Sequence, residues 1–263
     1  EGDNSPADVL VLVDAARLVK ASKLGLFRPS ISPTLQRLVP ANLRDPQGKW
    51  YALTRRARVP IVNPDIVDPS SIKSYADLAN PALKGKLCLR NRKSPYNQSL
   101  VADQIILRGE AATAKWIRGM ANNVTQEFFP KDTPQVQAVG KGKCGVAVVN
   151  TYYVGRMLAG RKGEANKALA EKVKVVFPNP THVNVSGAGV TASSDNPQAA
   201  LKLIEFLASP NAGKGYAAAN LEYPVKGFGN NPILRSWGTF KADGVSVEQL
   251  GAKNKQAQQL MKD

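Results

Sequence analysis

The sequence predicts an α/β protein of two lobes, each built on a parallel sheet, with the type of hinge that two crossing strands make. Three observations carry this reading. Short apolar runs alternate with helical patterns along most of the chain, which is how parallel strands and their crossover helices read. Two extended segments, Arg58–Val62 and Val183–Val185, bracket a compact middle region. The chain has 263 residues, 43% of them hydrophobic, which suffices for two modest cores. The division expected is a flanking lobe of residues 1–60 plus 184–263 and an inserted middle lobe of residues 61–183. A cleft between lobes hinged in this way is where ligands commonly sit.

Ala7 to Val13 is an apolar run ending at Asp14 and reads as a buried parallel strand. Pro29, Pro33, Pro40 and Pro46 mark the next stretch as a long ordered loop. Arg58–Val62 and Lys86–Arg90 read as strands, and Ser99–Leu107 and Ala111–Met120 as helices. Thr133-Pro134 supplies a capping hydroxyl and a first-turn proline, so a helix starts there. Gly145–Val149 is a strand, Thr151–Leu158 and Glu164–Glu171 are helices, and Val173–Phe177 is a strand. Asn196-Pro197 opens an amphipathic helix to Leu207, with Ala200, Leu203, Ile204 and Leu207 on one face. The tail from Val247 to Met261 reads as a polar helix that docks weakly.

Charge and composition narrow the function. Lys plus Arg total 36 against 20 Asp plus Glu, a net charge of +16. The basic residues are scattered and no aromatic strand motif sits among them, so a nucleic-acid partner is not expected. No apolar run reaches the ~18 residues of a membrane helix. The opening Glu1-Gly2-Asp3-Asn4 carries no signal-peptide pattern, so the expectation is a soluble chain that is already processed or lacks its front. The two cysteines, Cys88 and Cys144, are too few for a thiolate zinc site. By themselves they allow a disulfide or two buried thiols. Both lie near the amino ends of expected strands, and if those strands are neighbours a disulfide is expected.

Much catalytic chemistry is missing. With His182 as the one histidine, no multi-histidine metal centre can form, and His182 is expected to be structural. There is no phosphate-binding Gly-x-x-x-x-Gly-Lys-Ser/Thr loop, and Gly187-x-Gly189 lacks the third glycine of a dinucleotide fingerprint. The chain is not expected to be an enzyme.

Three tyrosines stand out. Tyr96, Tyr152 and Tyr153 each come just after the carboxyl end of an expected strand, where open α/β sheets place their binding crevice. A phenol has a pKa near 10 and ligates poorly at neutral pH unless a small, highly charged cation displaces its proton. Phenolate oxygen is a hard donor and suits a hard trivalent ion such as Fe(III). The alternative is that these rings merely pack. Arg56 and Arg58 flank the first crossing segment, and a guanidinium fork could hold an anion, such as carbonate, that shares the metal. An ordinary hinge pair is the alternative for them.

Several stretches resemble the ferric-iron-binding proteins of bacterial ABC importers, especially the cyanobacterial ones. They include Tyr96-Asn97-Gln98-Ser99-Leu100, Val149-Asn150-Thr151-Tyr152-Tyr153, His182-Val183-Asn184-Val185-Ser186-Gly187 and Glu222-Tyr223-Pro224-Val225. The resemblance implies a two-lobed, hinged periplasmic binding protein with Tyr96, Tyr152 and Tyr153 as iron ligands and Arg56 on a synergistic anion. It implies a monomer that delivers Fe(III) to an importer's membrane permease. It also implies an opening strand–helix unit of ~30 residues bearing a further tyrosine ahead of Ala7. That unit is not in this sequence, so the expected flanking lobe is incomplete. A basic, membrane-associated protective protein of iron starvation, or a binder of another small anion on the same fold, are the other readings.

Overall fold

The computed structural model describes residues 5–262. In chain order the elements are β1 (Val9–Val13), α1 (Ala15–Lys23), α2 (Pro33–Leu38), β2 (Tyr51–Val62), β3 (Leu87–Cys88), α3 (Pro95–Arg108), α4 (Glu110–Asn123) and α5 (Asp132–Gly140). They continue with β4 (Val146–Asn150), α6 (Thr151–Leu158), α7 (Glu164–Glu171), β5 (Lys174–Val175), β6 (Val183–Val190), α8 (Pro197–Ala208) and α9 (Pro210–Asn220). The chain closes with β7 (Tyr223–Pro224), α10 (Pro232–Ser236), α11 (Val247–Ala252) and α12 (Asn254–Leu260).

Strand β2 organises the molecule. Its first half pairs with β6 from Tyr51↔Ala188 to Ala57↔Val183, and β6 pairs in turn with β1. Its second half, Arg58 to Val62, pairs with β4 from Arg58↔Asn150 to Val62↔Val146, and β3 lies beyond β4. One strand therefore belongs to two sheets, and the change of partner falls between Ala57 and Arg58. β2 is also longer than expected from Arg58–Val62. Its earlier residues Tyr51, Ala52 and Leu53 are buried on both faces, so no alternating pattern marked them as strand.

Strand direction differs from the expectation. β3 and β4 are parallel, whereas β1/β6, β2/β6, β2/β4, β2/β5 and β2/β7 are antiparallel. Crossing strands run out of one sheet and back, so they oppose their neighbours. Apolar runs report burial, not direction. β1 is half-buried and antiparallel to β6, not a fully buried parallel strand.

Two further expectations are corrected. The proline-rich loop contains α2, capped by the Ser32 hydroxyl accepting from the Leu35 amide at 3.1 Å, with Pro33 in the first turn. The tail docks firmly. Val247, Leu250 and Ala257 are buried, and Gly251 lies so close to Val19 that a Cβ there would sit 2.5 Å from its side chain. Three buried positions over two short helices are too sparse to show as a stripe. Cys88 and Cys144 form the expected disulfide, with Cα atoms 5.9 Å apart, linking the end of the short β3 to the residues just ahead of β4.

Candidate metal centre

The carboxyl ends of β3 and β4 lead into the first turns of α3 and α6. Pro95 occupies the first turn of α3 and Tyr96 comes directly after it. Helix α6 begins at Thr151, directly after Asn150 ends β4, so Tyr152 and Tyr153 sit in its first turn. The sequence expectation placed all three tyrosines at these strand ends, and the structure brings them together. The Tyr152 hydroxyl donates to the Tyr96 hydroxyl at 3.3 Å. The Tyr152 and Tyr153 rings stack with centroids 4.4 Å apart. Tyr152 is buried, while Tyr96 and Tyr153 are partly exposed. Two helix amino ends face this cluster, and their unpaired amides favour negative charge.

Burial pushes the Tyr152 phenol well up, and the neighbouring Tyr96 and Tyr153 phenols add to the shift. Burial raises Tyr153 as well. Both hold their protons at neutral pH unless something positive displaces them.

The surroundings supply positive charge. Arg56 and Arg58 are two apart on β2 and project from the same face. Their guanidinium carbons lie 5.5 and 5.9 Å from the Tyr96 ring centroid, and that of Arg90 lies at 5.2 Å. Arg156 stands 4.7 Å over the Tyr152 ring. The two sequence-predicted arginines nevertheless differ. Arg58 commits all its donors within the protein. Nε and Nη2 reach the Asn97 side-chain oxygen at 3.1 and 2.6 Å, and Nη2 also donates to the Val148 carbonyl at 3.1 Å. Nη1 donates to Asp132 at 2.9 Å and to Asn150 at 3.3 Å. Arg58 is thus a brace with nothing left for an anion. Arg56 donates to the Ser186 hydroxyl at 3.1 Å and the Val185 carbonyl at 2.7 Å, and its buried Nε has no partner among the described residues. Glu222, 3.9 Å away, partly balances its charge.

Asp132 was missed by sequence reasoning, which noted only Thr133-Pro134. Its buried carboxylate accepts from Arg58, from Arg90 at 3.2 Å and from the Asn150 amide at 3.1 Å. It ties β2, the β3 loop and the start of α6 into one rigid frame under the tyrosines. Nothing in a local pattern signals a residue whose partners are 74, 42 and 18 positions away. Tyr75 was missed for the same reason. Its hydroxyl accepts from the His182 amide at 2.9 Å and donates to the Arg58 carbonyl at 2.7 Å, bridging the two crossing strands.

One other cluster has ligand-like chemistry. Asp103, His182 and Asp243 converge in the interior, with His182 Nδ1 3.6 and 3.4 Å from the two carboxylates. Burial opposes a charged imidazole there, but the Asp103 and Asp243 carboxylates override it and raise His182 to about 9. The geometry pairs the buried imidazole with two carboxylates, joining α3 and the start of β6 to the loop before α11, which suits the structural role expected of His182.

Residues 4–244 match the family model of a bacterial extracellular solute-binding protein. The chain belongs to that family. It is 43% identical over 268 residues to iron uptake protein A1 of Synechocystis, covering 100% of this chain and 74% of that protein. It is 30% identical over 267 residues to the major ferric iron-binding protein of Neisseria meningitidis, covering 96% of this chain and 76% of that one. Among solved structures it superposes on a Trichodesmium protein in complex with iron and citrate, with a TM-score of 0.96 and 39% identity, over 100% of this chain and 84% of the other. The solute-binding fold expected from the sequence is therefore the fold of the family. No helix of the described residues is long and apolar enough to cross a membrane.

Proposed function

We propose that Tyr96, Tyr152 and Tyr153 ligate Fe(III) as phenolates and that Arg56 holds an anion sharing the ion, carbonate or a small carboxylate. The observation that carries this is the 3.3 Å approach of the Tyr152 and Tyr96 hydroxyls from two separate helix starts. Oxygens so spaced can share one ion at ordinary metal–oxygen distances of about 2.0–2.2 Å. Hard phenolates select a hard trivalent ion, and the arginines around them offset the charge that deprotonation leaves. The protein is a periplasmic solute-binding protein that captures ferric iron for ABC import, and the membrane permease of an importer is its partner in this reading. The lobes of the reading are residues 1–60 with 184–263 and residues 61–183. The change of partner along β2 between Ala57 and Arg58 supports that division.

The test is the visible spectrum with and without added Fe(III). The parent develops a phenolate-to-iron absorption band. Tyr152→Phe and Tyr153→Phe each remove one donor oxygen and almost no volume, so each weakens and shifts the band while circular dichroism stays unchanged. Parent-like iron binding by both variants would make the tyrosine pair structural and sink the reading.

A further inference from the structure

A cavity of about 500 Å³ lies between α3, α4 and the second sheet. Protein interiors are close-packed, with few voids larger than a water molecule, so a space of this size is not ordinary core. Its volume falls in the range of small-ligand pockets. Val148 of β4 forms the floor, and Leu100, Trp116, Ile117 and Met120 form the walls. The Trp116 indole N–H already donates to the Tyr75 carbonyl at 2.6 Å, so the ring offers the cavity an apolar face and no donor. At the mouth stand Phe128, 51% exposed, and the exposed cations Arg92 and Lys93. Among the described residues no acidic side chain lines the cavity. Among them, too, neither Arg92 nor Lys93 makes an ion pair, whereas Arg90 is committed to Asp132.

We infer that this cavity is a second ligand site, separate from the tyrosines, for a small amphipathic monoanion. The apolar body lies against Trp116, Ile117 and Met120, and a single carboxylate stays at the mouth beside Lys93 and Arg92. An uncharged apolar molecule would leave those cations unused. Apart from Asn91, Asn97, the Asp132-bound Arg90 and the two cations at the mouth, the lining is apolar, which matches a polyanion poorly. A single-chain carboxylate satisfies both ends.

Calorimetric titration of the iron-free protein with decanoate tests this, with decanol as the uncharged control. The expected result is saturable one-to-one binding of decanoate, accompanied by a change in Trp116 emission that Trp116→Phe removes. Ile117→Trp, which fills the cavity from a half-buried position, abolishes binding. Lys93→Glu, on the surface, weakens it by up to about fivefold, the scale of one exposed charge contact. Absence of decanoate binding to the parent overturns the inference, as does equal binding to Ile117→Trp in a folded protein. Should Ile117→Trp fail to fold, Lys93→Glu and the control decide. Decanol binding as tightly as decanoate, with no effect of Lys93→Glu, would identify an apolar void and not an anion site. Because iron is absent throughout, the outcome is independent of the tyrosine reading, which the Fe(III) spectrum tests separately.

Discussion

Under the proposed ligation, Fe(III) binding by the buried Tyr152 and Tyr153 phenols is coupled to proton release, and the coupling can be counted. Tyr152 and Tyr153 both have phenols raised above the ordinary value of 10.0, in each case chiefly by burial. At pH 7 each is protonated, and removing each proton costs at least about 4 kcal/mol, three pK units at 1.36 kcal/mol each. The ion has to supply that energy, and two protons leave when it binds both oxygens. Affinity therefore rises with pH. For these two ligands the logarithm of the binding constant climbs about two units per pH unit near neutrality. Tyr152→Phe deletes one of the two protons, so its slope is smaller by about one. Calorimetry in buffers of different ionisation enthalpy measures the proton count directly. Iron delivered as the same chelate to parent and variant makes the chelate's own protonation cancel in the difference. The expected difference is one proton per iron. A coloured Tyr152→Phe complex that releases as many protons as the parent would refute the assignment of Tyr152 as a phenolate ligand.

Three further outcomes are expected. Replacing Cys88 and Cys144 together with alanine opens a loop spanning 56 residues and lowers unfolding free energy by about 2–4 kcal/mol in urea titrations; an unchanged midpoint would show that the bridge does not constrain the unfolded chain. His182 is raised from 6.5 to about 9, so its contribution is fully present below pH 6.5 and is lost as pH rises through 9. Thermal melts of the parent should therefore fall across that window by up to about 3 kcal/mol, and His182→Gln should flatten the fall, which an identical pH profile would contradict. Gly189→Ala would place a Cβ 2.2 Å from the Lys49 carbonyl and 2.5 Å from the Phe27 ring, so it should destabilise by about 1–3 kcal/mol without altering the iron-bound spectrum; an undiminished melting temperature would show that β6 can move aside.

The parts of the molecule that the sequence made legible are those governed by neighbours in the chain. Thr151–Leu158 and Glu164–Glu171 are helices with the bounds expected, because each begins where an adjacent signal, the end of an apolar run or Gly163, stops the preceding element. The tyrosine cluster was legible because strand ends in an open α/β sheet face one crevice, so three positions could be placed together before any distance was known. What sequence could not give is whatever depends on distant partners. The antiparallel course of β2 and β6, the docking of α11 and α12, and the Asp132 frame are all of that kind. Arg56 and Arg58 look alike in sequence, two residues apart on one strand. They part company because Asn97, Asp132, Asn150 and the Val148 carbonyl converge on Arg58 and leave Arg56 with an unpartnered Nε.

The Cys88–Cys144 bridge has a bearing on redox chemistry as well as on stability. A free thiol can give an electron to Fe(III), and the Fe(II) left behind is a softer ion that phenolates hold poorly. These two residues are the sequence's complement of cysteine, and both sulfurs are joined and buried, Cys88 at the last position of β3 and Cys144 two residues ahead of β4. The tyrosines follow the same two strands in the first turns of α3 and α6. In this sequence neither cysteine offers a free thiol that could reduce an iron ion at the proposed tyrosine site.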